Sequence, residues 1–77
     1  MKLYVIANKS FNIFYQPEIS CNDALASEIP YIFGKEPYYL GDNLYEDTWL
    51  DNSLRYAQEE FSEIEWQIFE VTVGQFA

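Results

Sequence analysis

The sequence predicts a small α+β domain: an antiparallel sheet of about three strands, made of an N-terminal hairpin plus a C-terminal strand, packed by one long amphipathic helix and one short helix. Three observations predict it. Both ends of the chain carry short apolar runs that alternate with period two. One stretch in the second half repeats its apolar residues with helical period. Proline and glycine punctuate the segment between them.

Residues 2 to 7 read as a strand. Leu3, Val5 and Ala7 point one way, Tyr4 and Ile6 the other. Both faces are apolar, which is the signature of a central strand. Asn8-Lys9-Ser10 is a turn, and residues 11 to 16 form a second strand with Phe11, Ile13 and Tyr15 on one face. Pro17 ends it, because proline donates no ladder hydrogen bond. A short helix over residues 23 to 29 follows, capped by Ser20 with Asp23 three residues on, and Pro30 stops it. Residues 30 to 49 hold Pro30, Gly34, Pro37 and Gly41, so an irregular segment or short edge strands are expected.

The long helix runs from Thr48 or Leu50 to Ser62. At the α-helical turn angle, Leu54, Ala57, Phe61 and Ile64 all fall within about 40° of Leu50. Asn52, Arg55, Glu59 and Glu63 lie opposite. Asp47 or Thr48 is the N-cap. The last strand covers residues 65 to 73, with Phe69, Val71 and Val73 on one face and Trp66 and Ile68 on the other. The change of phase there fits two-sided burial or a bulge. The first and last strands are the most apolar, so they pair in the centre of the sheet.

All 77 residues fit one domain, residues 1 to 77, with no repeat and no Gly/Ser linker. A domain this small buries only about 60% of the surface its unfolded chain exposes. Aromatic residues make up 19%, which argues against disorder in so acidic a chain. There is no His and one Cys. Ser-His-Asp and Cys-His nucleophile pairs are therefore out, as is a Cys/His zinc site. A lone Cys21 forms no internal disulfide, which suits a reducing, cytoplasmic setting. The apolar run at residues 3 to 7 is too short for a signal peptide, and no stretch approaches a membrane span. The sequon at Asn8 then has no glycosylating compartment.

Net charge is -9, from thirteen acids against four Lys and Arg. The charge is uneven: residues 42 to 77 hold nine of the acids and only Arg55. No basic face exists to bind nucleic acid directly, and an anionic membrane would repel the chain. On the helix, Asp51, Glu59, Glu60 and Glu63 project away from the apolar stripe, with Asp42, Glu46 and Asp47 leading in. Carboxylates four residues apart on a helix stand about 6 Å apart along the axis. Phosphates on one DNA strand advance about 3.4 Å per step. Such a row of carboxylates can imitate a row of phosphates; the alternative is a solvated face that maintains solubility.

The second candidate surface is aromatic. Tyr38, Tyr39 and Tyr45 lie between Pro and Gly turn signals, near Tyr31, Phe33 and Trp49. Tyrosine beside carboxylates suits an arginine-rich partner; otherwise these rings fill a small core. Asp42, Asn43, Glu46, Asp47 and Asp51 are hard oxygen ligands, but their spacing matches no EF-hand, so no metal is expected. The chain is short for a core plus an enclosed pocket, so no catalytic residue and no cofactor are expected.

In size, charge and composition the chain resembles the small acidic inhibitors that bacterial viruses use against restriction, CRISPR or transcription machinery. That likeness implies a host-cytoplasmic protein that blocks a larger basic protein or nucleoprotein complex. The alternative is a structural or regulatory module that dimerises or docks through aromatic surface, or through a strand edge at residues 11 to 16. Either a monomer or a homodimer is compatible with these patterns.

Overall fold

The computed structural model describes residues 3–19, 22–34, 39–41, 44–45, 49–72 and 74; for 39–41 and 44–45 it describes the backbone alone. The elements in chain order are β1 (Leu3–Asn8), β2 (Phe14–Gln16), β3 (Leu25–Ser27), β4 (Phe33–Gly34), β5 (Tyr39–Gly41), β6 (Leu44–Tyr45), α1 (Trp49–Glu60) and β7 (Trp66–Val71). The α+β class stands, with five strands in the main sheet where about three were expected.

β1 is the central strand. One of its edges carries β7 along its whole length, antiparallel, from Leu3 opposite Val71 to Asn8 opposite Trp66. The other edge is shared: β2 pairs at Ala7, and β4 pairs at Leu3 and Tyr4. The first and last strands are therefore neighbours, as expected, but β7 has no second partner among the described residues and lies at the sheet edge. Its exposed Gln67 and Glu70 agree with that position. The β1–β7 register runs without a break. The two apolar phases of β7 thus reflect burial on both faces, with no bulge.

The alternation read in β1 and β7 sorts the core into two clusters. Tyr4, Ile6 and Trp66 join Tyr15 and Phe33 on one face, where Leu50 and Ala57 of α1 cover them and Leu54, Phe61 and Ile64 pack alongside. Val5, Ala7 and Val71 join Phe14 on the other. The expected helical stripe is the one that α1 buries. Beyond Glu60, the Phe61 amide still donates to the Ala57 carbonyl at 2.9 Å, and the chain then turns. The Phe61 carbonyl accepts the Trp66 indole N–H at 3.1 Å and the Ile64 amide at 3.1 Å. A carbonyl that the helix end leaves without a partner is thereby satisfied by β7 itself.

Three expectations are corrected. The short helix at residues 23 to 29 is absent; Leu25–Ser27 is β3, paired with β2. A seven-residue helix gains too few bonds to offset nucleation, whereas β2 offers a ready ladder. The Gln16 amide fixes the exit from β3, donating to Ser27 Oγ at 3.0 Å and to the Ile29 carbonyl at 2.9 Å. Second, Phe11 does not share a face with Ile13 and Tyr15. It stands before β2 with φ of 58°, a left-handed conformation that breaks the period-two alternation. Its ring turns to the other face, edge-on to Phe14 at 5.2 Å and to Phe69 at 5.1 Å. Third, β2 is not an edge: β1 takes one side and β3 the other. The strand expected over residues 11 to 16 is thus confined to Phe14–Gln16, and there it offers no free docking edge. The segment from 30 to 49 contains short strands, of which β5 and β6 pair with each other, with Tyr39 and Tyr45 as Cα partners.

The turn that reverses the hairpin depends on Asn8. Its Oδ1 accepts the amides of Asn12 at 2.9 Å and Ile13 at 3.1 Å, and its Nδ2 donates to Asn12 Oδ1 at 2.7 Å. Asn8→Ala removes all three bonds and is expected to lower stability by about 1–3 kcal/mol in urea unfolding. Asn8→Asp keeps the two accepted bonds, so its loss should be clearly smaller; equal losses would mean that the side chain does not hold the turn.

Candidate binding cleft and acidic surface

The described acids share one property. Glu18, Asp23, Glu28, Asp51, Glu59, Glu60, Glu63, Glu65 and Glu70 are all exposed, and the described cations beside them are Lys9 and Arg55. Of the expected partner-binding residues, Asp51, Glu59, Glu60 and Glu63 are thus at the surface. Tyr38, Asp42, Glu46 and Asp47 lie outside the described residues, as do the side chains of Tyr39 and Tyr45. Cys21 also lies outside them. The candidate ligand set for a hard cation falls outside them too, apart from Asp51. Among the described residues no group of three or more His, Cys, Asp or Glu side chains stands close enough to hold a metal. No helix among them is long and apolar enough to cross a membrane.

The row imagined for Glu59 and Glu63 needs a correction. α1 ends at Glu60, so Glu63 sits in the following turn and the two do not share a helical row. The helix instead ends on adjacent acids, Glu59 and Glu60, with no basic residue in its last turn. The C-terminal end of a helix carries partial negative charge, so carboxylates there are repelled.

The same end of α1 borders a cleft of about 630 Å³. One wall is the end of β2 and the residues after it: Tyr15, Pro17 and Glu18. The other wall is a second helical stripe, Trp49, Asn52, Ser53, Tyr56 and Glu60. Their spacing of three, four and seven residues puts them on one side of α1, turned about 90° from the buried stripe. Pro17 ends β2 as the sequence requires and so places Glu18 at the rim. Ser53 is buried beneath, while Trp49 and Tyr56 remain 38% and 55% exposed.

Tyr15 joins the cleft to the core. It is only 2% exposed, and its ring meets Phe61 and Trp66 edge-on at 6.1 and 6.0 Å. Burial pushes its hydroxyl up from 10.0 to about 12, and the negative charges of Glu60 and Glu18 push in the same direction, as does Tyr56. The phenol at the base of the cleft therefore senses a negative field.

Sequence reasoning found the outward acids but not the cleft. It placed Tyr15 on a strand face and Trp49 among aromatics, and it did not single out Glu18 or Tyr56. The second stripe on α1 was the available signal.

Two expectations follow. In an alkaline titration followed by tyrosinate absorbance, one tyrosine should ionise near pH 12, and Tyr15→Phe should remove that phase. The folded state holds this proton more tightly than the unfolded chain. Its contribution to stability is thus complete below pH 10 and is lost as pH rises toward 12. Separately, Glu59→Gln combined with Glu60→Gln should raise the melting temperature by a few degrees at low salt, and by less at high salt. An unchanged or lowered melting temperature would show that these carboxylates do not strain the helix end.

Comparison with protein-family models, with curated proteins and with solved structures gave no significant match to this chain.

Proposed function

We propose that this protein is a non-catalytic acidic inhibitor that occupies a basic nucleic-acid-binding surface on a larger protein or nucleoprotein complex in the cytoplasm. The observation that carries the reading is the placement of the acids: every described one is exposed, and two stand where the helix dipole opposes them. Acids placed only for solubility gain nothing from the C-terminal end of a helix, whereas acids that meet a basic partner gain from any exposed position. The mechanism is occupancy without turnover. Carboxylates of α1 and the turn after it take positions otherwise filled by phosphates, and the counterions released from the partner favour the exchange. A restriction, CRISPR or transcription complex of a bacterium under viral attack is the kind of target that fits.

A second reading rests on a different surface. Ile19, Leu25, Ile29 and Ile32 are exposed around β3, whose outer edge has no partner among the described residues. Such an edge can pair with another strand, in a second copy or in an assembly partner. A salt-resistant dimer in light scattering would favour it.

The inhibitor reading predicts that a tagged copy retains a basic DNA- or RNA-handling complex from bacterial lysate. The complex should elute in moderate salt and should bind nucleic acid less well while the protein is bound. Glu59→Lys with Glu63→Lys should weaken retention by about tenfold or more. Retention that neither salt nor charge reversal alters would refute charge mimicry.

A further inference from the structure

We propose that the cleft between the end of β2 and α1 is an arginine socket, which takes one guanidinium side chain of the basic partner against the Trp49 and Tyr56 rings and between the Glu18 and Glu60 carboxylates. The proposal deepens the reading of the protein as an acidic inhibitor and rests on it for the existence of a basic partner.

Size comes first. At about 630 Å³ the cleft is larger than one side chain needs. It lies within the span of roughly 300–1,000 Å³ typical of ligand sites, so a side chain and a little of its backbone fit together. Charge comes next. Among the described residues the walls carry two carboxylates and no cation, which disfavours a phosphate or an acidic peptide. Glu60 is also the last residue of α1, and the helix end adds negative potential at that point.

The walls favour a flat cation over a compact one. Trp49 and Tyr56 are seven residues apart on one side of α1, and each leaves more than a third of its surface exposed. Guanidinium is planar and weakly hydrated, stacks on such rings and pairs with carboxylates through a rigid fork. An ammonium is strongly hydrated and does neither as well. An independent feature points the same way. The Tyr15 side chain is buried yet lines the cleft, and since no buried side-chain polar atom among the described residues lacks a partner, its hydroxyl is either bonded already or is the part that reaches the open cleft. Where the hydroxyl faces the cleft, a donor-rich guest can take the place of water on its oxygen, since guanidinium has several N–H donors and no acceptor.

The test uses the full chain, isotopically labelled, and three short glycine-serine peptides that differ only in a central Arg, Lys or citrulline. Citrulline keeps the shape of arginine without its charge. The Arg peptide should shift the Trp49 indole signal and the resonances of Tyr56, Glu18 and Glu60, and bind roughly tenfold or more tightly than the citrulline peptide. Glu18→Gln with Glu60→Gln, both at exposed positions, should leave the spectrum folded and abolish most of that difference. Equal binding of the citrulline peptide, or shifts that map elsewhere, would overturn the socket. A Lys peptide that binds as tightly as the Arg peptide would overturn its preference for guanidinium. The two readings fail separately. Arg-peptide binding in the cleft, with capture insensitive to reversal of Glu59 and Glu63, overturns charge mimicry and keeps the socket. Salt-sensitive capture without peptide binding overturns the socket alone.

Discussion

The full-length ladder between β1 and β7 is the constraint on which the rest of the structure depends. It joins the two ends of the chain, and it places a strand with Val5, Ile6 and Ala7 wholly buried at the centre of the sheet. A strand apolar on both faces needs a cover on each. The first cover is α1, whose apolar stripe is as wide as one layer of helix packing requires. On the second face, Phe11 swings across Phe14 and Phe69. It does so from a left-handed backbone that costs about 1–2 kcal/mol for a residue with a side chain. Two edge-on ring contacts of about 0.5–1.5 kcal/mol each offset that strain. Glycine would relax the backbone at this turn and uncover the second face. Packing therefore decides the residue there, and the backbone accommodates it.

This explains which parts were legible in the sequence. β1, β7 and α1 announce themselves because their burial follows one period over their whole length. Leu50, Ala57 and Phe61 mark the buried side of α1 without reference to anything else, and Tyr4 and Ile6 do the same for β1. β3 was illegible because its three residues carry no period: Leu25 is exposed, and Ala26 and Ser27 are half-buried. It exists because β2 lies beside it, and isolated propensity favoured a helix in the same residues. Phe11 was misread for a related reason. Period-two reasoning assumes an extended backbone, and one residue with positive φ reverses every face assignment on its far side.

The candidate site divides along the same line. Exposure of Asp51, Glu59, Glu60 and Glu63 follows from their angular distance from the buried stripe, which a sequence displays. The cleft does not follow, because its walls come from the end of β2 and from α1, more than thirty residues apart in the chain. Pro17 stops β2 and Ser53 lets the helix approach, but neither residue says what lies across from it. Only the sheet, by fixing β2 beneath α1, brings Glu18 to the rim that Glu60 shares.

The helix end then ties stability to the proposed recognition. Trp66 and the Ile64 amide satisfy the Phe61 carbonyl, which fixes the turn after α1 but leaves Glu59 and Glu60 at the negative end of the helix. A basic residue at position 59 or 60 would suit the dipole and relieve the repulsion, and at position 60 it would also weaken the negative field felt by Tyr15 at the base of the cleft. The arrangement best for the isolated domain and the arrangement best for the proposed cationic guest are therefore opposites at position 60. The chain carries the second. In a domain with so little core, that supports the proposal that Glu60 meets a positive charge supplied by a partner.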